Sequence, residues 1–158
     1  MPKYIISLDS GTTSCRTLVI DHKGDIVASD ALEFSQLFPK SRVSWTWCCR
    51  NLKTRSEQHT KHPLIKQKLK LDDIIGIGIT NQRETVVMWD KRSGFTIYNA
   101  IVWQDRRTAK YCDEINCHTL KSELIQTKTG LVINPYFSAT KIKWILENVK
   151  EAKQLAKR

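Results

Sequence analysis

Two runs dense in β-branched side chains open the chain, Tyr4-Ile5-Ile6-Ser7-Leu8 and Arg16-Thr17-Leu18-Val19-Ile20. Such runs, bounded by turn formers, predict strands. The linker between them, Asp9-Ser10-Gly11-Thr12-Thr13-Ser14, carries four hydroxyls. A hairpin needs only Asn-Gly or Asp-Gly. Glycine in a tight turn lets main-chain N–H groups approach an anion, and hydroxyls add neutral donors around it. An aspartate at a strand end beside such a nest can hold a magnesium ion that bridges phosphates, usually through water. Arg16 adds positive charge. The plain alternative is a hydroxyl-rich hairpin with no ligand.

The remaining pattern is strands first, then helices, on an α/β frame. A third strand is expected over 25–33, after the turn His22-Lys23-Gly24-Asp25. Ile74–Ile79 is apolar save for two glycines, as expected of a buried strand. Thr85–Trp89 and Ile97–Trp103 resume extended structure around the turn Lys91-Arg92-Ser93-Gly94. From about 106 the period becomes helical, with Ala109, Cys112 and Ile115 on one face and further apolar positions at Leu120 and Leu124. A second helix fits Phe137–Leu155 through Ile142, Ile145, Leu146, Val149 and Ala152, after a break at Asn134-Pro135.

The 158 residues suffice for one domain with a core. No segment approaches the roughly 18–20 apolar residues of a membrane span, and the N-terminus reads as no secretion signal, so a cytoplasmic protein is expected. Five cysteines, two of them adjacent, argue against a disulfide framework. The net charge of +10 raises the possibility of a nucleic-acid partner. Its distribution argues against one: from Lys40 to Lys70 nine Lys/Arg face a single acid, Glu57, and the rest is nearly balanced.

Three further polar concentrations follow apolar segments. Asn81-Gln82-Arg83-Glu84-Thr85 stands directly after a strand, where open α/β sheets bind ligands. An adjacent Arg and Glu can grip a polyol, one donating and one accepting. Trp103-Gln104-Asp105-Arg106-Arg107 offers an apolar wall in Trp103. Thr129-Gly130-Leu131 through Ser138 offers the Tyr136 hydroxyl on a rigid stem. Taken singly, each is more often a solvated strand end, a cap or part of a core than a ligand site.

Together they form a pattern. D-S-G-T-T-S-C-R (Asp9–Arg16), G-I-T-N-Q-R-E-T (Gly78–Thr85), Y-N-A-I-V-W-Q-D-R-R (Tyr98–Arg107) and T-G-L-V-I-N-P-Y-F-S-A-T-K (Thr129–Lys141) closely resemble the glycerol kinases, a branch of the FGGY carbohydrate kinases. The match runs in order from residue 3 to about 150, excluding roughly 42–67. The resemblance implies the actin-like (ribonuclease H-like) ATPase fold, here the N-terminal lobe in incomplete form. It also implies ATP-dependent phosphorylation of the glycerol 3-hydroxyl, with ATP and Mg2+ as cofactors and glycerol and ATP/ADP as partners. Thr12, Thr13, Ser14 and Arg16 would lie at the nucleotide, and Asp9 at the magnesium–phosphate site. Arg83, Glu84 and Tyr136 would hydrogen-bond glycerol, with Trp103 against its carbons. A homo-oligomer is expected only of the full-length enzyme.

Departures are small at the motifs and large elsewhere. Ser10 stands where the family usually has Gln, and Cys15 where it has Ser. Glycerol kinases run to about three times this length, and the general-base aspartate and the second lobe come later in their chains. The resemblance therefore implies one partial domain, 1–158, inactive by itself. Within it, about 42–67 is aberrant: Arg42–Thr54 stands where the family carries W-V-E-H-x-x-x-E-I-W-x-T. Synonymous codons for Trp45–Leu52 exist that spell G-H-G-A-V-E-I when read one base later. That fits a one-base gain near Arg42 compensated by a loss near Lys53, and predicts poor order locally. Cys48-Cys49 with His59 and His62 lacks the ligand spacing of a zinc site. Two rivals remain, another FGGY sugar kinase and a small basic nucleic-acid-binding protein.

Overall fold

The structure is a computed structural model, and it describes residues 3–33, 46–47, 63–64 and 68–157. Its strands are β1 (Tyr4–Ser10), β2 (Ser14–Asp21), β3 (Ile26–Glu33), β4 (Thr46–Trp47), β5 (Ile74–Thr80) and β6 (Ala100–Ile101). Its helices are α1 (Ala109–Asn116), α2 (Thr119–Thr129), α3 (Ser138–Asn148) and α4 (Ala152–Leu155). The chain divides into two compact units, Met1–Ser35 with Asn51–Gln82, and Gln36–Arg50 with Arg83–Arg158. The expectations for 42–67 fall outside the described residues, apart from the β4 backbone and the buried pair Pro63 and Leu64.

The first unit holds a four-stranded sheet in the order β3-β2-β1-β5. β1 and β2 pair antiparallel from Tyr4↔Asp21 to Ser10↔Cys15, and β3 pairs antiparallel with β2. β5 runs parallel to β1, with a register shift between Tyr4 and Ile5. Alternation along β1 and β2 buries Ile6 and Val19 with Leu64, and Tyr4, Leu8, Val27, Ala28, Leu69 and Ile74 pack around them. The β2–β3 turn is organised by Asp21, whose carboxylate accepts from the N–H groups of Lys23 (2.8 Å) and Asp25 (3.0 Å). Gly24 takes the left-handed conformation there, at φ 89°.

The expected burial of the fourth strand is corrected. Ile75, Ile77 and Ile79 are exposed at 61, 58 and 74%. Among the described residues β5 is a sheet edge, with β1 on one side only. An all-apolar run signals a doubly covered strand only when both neighbours and both faces are present.

The second unit is mainly helical, around a core of Val86, Ile101, Ile145 and Ala152. The two extended stretches expected at Thr85–Trp89 and Ile97–Trp103 shrink to β6 and two isolated bridges, Val86↔Ile101 and Trp89↔Thr96. In the turn between them the Asp90 carboxylate accepts from Ser93 Oγ (2.8 Å) and Arg92 N–H (3.2 Å), and across it Ile97 N–H donates to the Met88 carbonyl at 3.0 Å.

Two helix expectations also change. The helical period from about 106 is split at Cys117-His118, where His118 is extended, and the break leaves Leu120 and Leu124 exposed at 82 and 54%. α2 then stops at Gly130, left-handed at φ 73°, whose N–H donates to the Gln126 carbonyl. The helix expected over Phe137–Leu155 breaks after Asn148. Val149 is extended and Glu151 left-handed, which lets Val149 pack on the core and buries Ala152 fully.

Candidate functional site

Two sets of sequence-predicted residues are gathered, one in each unit. In the first unit, β1 and β2 deliver Asp9 and Arg16 as a cross-strand pair, and β5 sets Thr80 beside Asp9 on the other side. Asp9 is half-buried and Arg16 exposed. The intervening turn is closed by Gly11 N–H donating to the Ser14 carbonyl at 2.9 Å. A Cβ at Gly11 would stand 3.2 Å from that same oxygen, which would have to shift to admit a side chain. Gln82, just beyond β5, donates from Nε2 to the Gly11 carbonyl at 3.0 Å and ties the turn to the strand end. Cys15 Sγ donates to Ser10 Oγ at 3.5 Å. Thr12 and Ser14 are half-buried and Thr13 is exposed.

Chemically this is one carboxylate and a cluster of hydroxyls on a short turn, with an arginine one strand position away. A single carboxylate beside hydroxyls suits a magnesium ion that keeps most of its water and bridges phosphate oxygens. The donor set therefore fits the implied ion at Asp9.

In the second unit, Glu84, Trp103 and Tyr136 come together. Glu84 adopts a left-handed backbone at φ 58°. Its Oε2 accepts from the N–H (2.9 Å) and the Oγ (2.6 Å) of Ser138, the first residue of α3. A carboxylate suits that position because the N-terminus of a helix presents unsatisfied N–H groups and positive potential. Both of these bonds fall on Oε2. Trp103 and Tyr136 meet edge to face with ring centroids 5.8 Å apart, and Phe137 abuts Tyr136 at 5.2 Å. The chain enters α3 through Asn134-Pro135, where Asn134 Oδ1 accepts from Tyr136 N–H at 2.9 Å and Pro135 is buried. Arg83 is exposed next to Glu84.

Sequence reasoning missed the residues that brace this group. Lys141 is fully buried and donates from Nζ to the carbonyls of Tyr136 (2.7 Å) and Glu84 (2.8 Å). Desolvation lowers its pKa to about 8, with Arg107 acting the same way and Asp105 and Glu84 opposing. Asp105, 1% exposed, is gripped by Arg107 through Nε (2.9 Å) and Nη2 (2.8 Å). Arg107 also stacks on Trp144 at 4.4 Å and donates to the Tyr98 hydroxyl. Burial pulls the Arg107 pKa down, but its bonds to Asp105 and Tyr98 outweigh that and leave it raised. One signal was available: Lys141 stands four residues before Ile145, on the stripe that α3 turns to the core. Ile142, expected there, is 38% exposed.

The chain matches the N-terminal domain model of the FGGY family of carbohydrate kinases over residues 4–158. It is 53% identical to the glycerol kinase of Mycoplasmopsis pulmonis over 96% of this chain and 30% of that protein. The glycerol kinase of Malacoplasma penetrans is 51% identical over the same shares. Among solved structures, Plasmodium falciparum glycerol kinase with ADP superposes with a TM-score of 0.86 at 35% identity, covering 97% of this chain and 30% of that one. A xylulose kinase from Brucella ovis superposes at 0.81 with 20% identity, a likeness of fold alone. The chain thus spans about 30% of the length of the relatives it matches. With the α/β architecture and the actin-like fold both found as expected, this chain belongs to the FGGY family of carbohydrate kinases.

Proposed function

We propose that the chain forms the N-terminal part of an ATP-dependent glycerol kinase. The observation that carries this reading is the cluster of Glu84, Trp103 and Tyr136 in one unit: an acceptor, an apolar wall and an aromatic hydroxyl. Those are the groups that a small triol needs. Glu84 Oε2 is occupied by Ser138, so a substrate hydroxyl would donate to Oε1. Arg83 would donate to a second hydroxyl, and Trp103 would cover the carbons. The identities of 53 and 51% to glycerol kinases support glycerol over a larger sugar.

The turn Gly11–Ser14 would receive nucleotide phosphates through main-chain N–H groups and the Thr12, Thr13 and Ser14 hydroxyls, with Arg16 supplying charge. Asp9 would hold Mg2+, which when bound neutralises phosphate charge during transfer. These residues position and neutralise, which is most of what phosphoryl transfer asks of a protein. The 158-residue polypeptide, spanning 30% of its relatives, would not sustain turnover by itself. Cys15, Cys112 and Cys117 are free, which suits a reducing compartment such as the cytoplasm. No helix among the described residues is long and apolar enough to cross a membrane.

The test is a chimera in which this chain replaces the matching 30% of the Mycoplasmopsis pulmonis enzyme. Glycerol-dependent formation of ADP is the expected result. A folded chimera that ignores glycerol, or turns over a pentulose as readily, contradicts the reading.

A further inference from the structure

Lys141 is a charged side chain with no exposed surface. Among the described residues its hydrogen bonds go to two main-chain carbonyls, those of Glu84 and Tyr136, and to no carboxylate. A methionine of similar length would fill the same space without desolvating an ammonium group. The two carbonyls belong to residues far apart in sequence, and Glu84 is the one held left-handed at φ 58°. A non-glycine residue keeps such a conformation only where its surroundings fix it.

We propose that Lys141 is a positioning residue for the polyol site: its ammonium clamps the Glu84 and Tyr136 carbonyls together and so sets the Glu84 carboxylate and the Tyr136 ring for the ligand. The inference rests on the glycerol reading given above. Lys141 acts through two peptide groups. Ser138 completes the brace from the other end, holding Glu84 Oε2 while Lys141 holds the Glu84 carbonyl. Glu84 is thereby fixed at both ends of the residue, with Oε1 turned to neither.

The experiment uses the 15N-labelled 158-residue chain, with the Ser138 amide reporting on Glu84 and the Trp103 indole on ligand. In the wild type, glycerol should move both signals saturably. Lys141→Met should shift the Ser138 amide before any glycerol is added and weaken glycerol binding about tenfold or more, the scale of loss expected from misplaced contacts. Lys141→Gln, which keeps an N–H donor, should recover part of that affinity, and it carries the same readouts if the methionine variant does not fold. A Lys141→Met chain that keeps the wild-type Ser138 signal and glycerol affinity while only its melting temperature changes overturns the proposal. A wild type whose Ser138 amide answers to Lys141→Met but never to glycerol contradicts the glycerol reading instead, and removes the ligand from the proposal.

Discussion

Glu84 and Ser138 are 54 residues apart in sequence, and one carboxylate oxygen of the first accepts both the amide and the hydroxyl of the second. This contact fastens the strand-exit segment to the start of α3, so the two motifs that the sequence offers separately become one structural group.

Removing the hydroxyl alone tests that contact. Ser138→Ala keeps the N–H donor and loses one charge-assisted bond, which is expected to cost about 1–2 kcal/mol. Urea unfolding of the two chains measures it. An unchanged midpoint would mean the hydroxyl is indifferent to Glu84.

The buried pair Asp105–Arg107 is a second test. Arg107→Leu leaves a carboxylate that is 1% exposed without its bidentate partner, so a loss of about 3–5 kcal/mol is expected. Arg107→Lys keeps the charge but not the planar fork, nor the stacking on Trp144, and should recover only part of the loss. Thermal melting of both variants distinguishes charge from geometry.

Lys141 predicts a pH dependence with a definite sign. Its pKa in the folded chain is about 8 against an ordinary value of 10.5. Between those values the unfolded chain still holds the proton that the folded chain has released. Stability therefore rises with pH across the window, and the gain is lost as pH falls through 8. Asp105, Glu84 and Arg107 are the charges whose fields act on this group. Relative to Lys141→Met, the wild type should gain up to about 3 kcal/mol from neutral pH to pH 10.5. A difference flat in pH would show that Lys141 titrates normally.

The turn before β2 offers a fourth test. Gly11→Ala would press a methyl against the Ser14 carbonyl at 3.2 Å, and the oxygen must move for it to fit. Nucleotide affinity, followed by calorimetry in the chimera, should fall more than stability does. Equal losses in both would make the turn a structural hairpin.

Much of the first unit was legible in the sequence because its strands are locally encoded: β1 and β2 are rich in β-branched residues, and His22-Lys23-Gly24-Asp25 marks its own turn. The site motifs were legible as residue types. Their bracing was not. Nothing local announces that Glu84 is left-handed, since its partners stand 54 and 57 residues away, and for Lys141 the one local signal is its place on the core stripe of α3. Helix breaks at Cys117-His118 and Val149 were missed for a related reason: the apolar period continues through both, and tertiary burial of Val149 and Ala152 decides where the helix stops.

The most direct measurement is the steady-state kinetics of the chimera with Arg83→Ala and Asp9→Asn made separately. Arg83→Ala is expected to raise the KM for glycerol about tenfold or more with kcat little changed, and Asp9→Asn to lower kcat at nearly constant glycerol KM. A glycerol KM that does not respond to Arg83→Ala would contradict the assignment of this chain to glycerol.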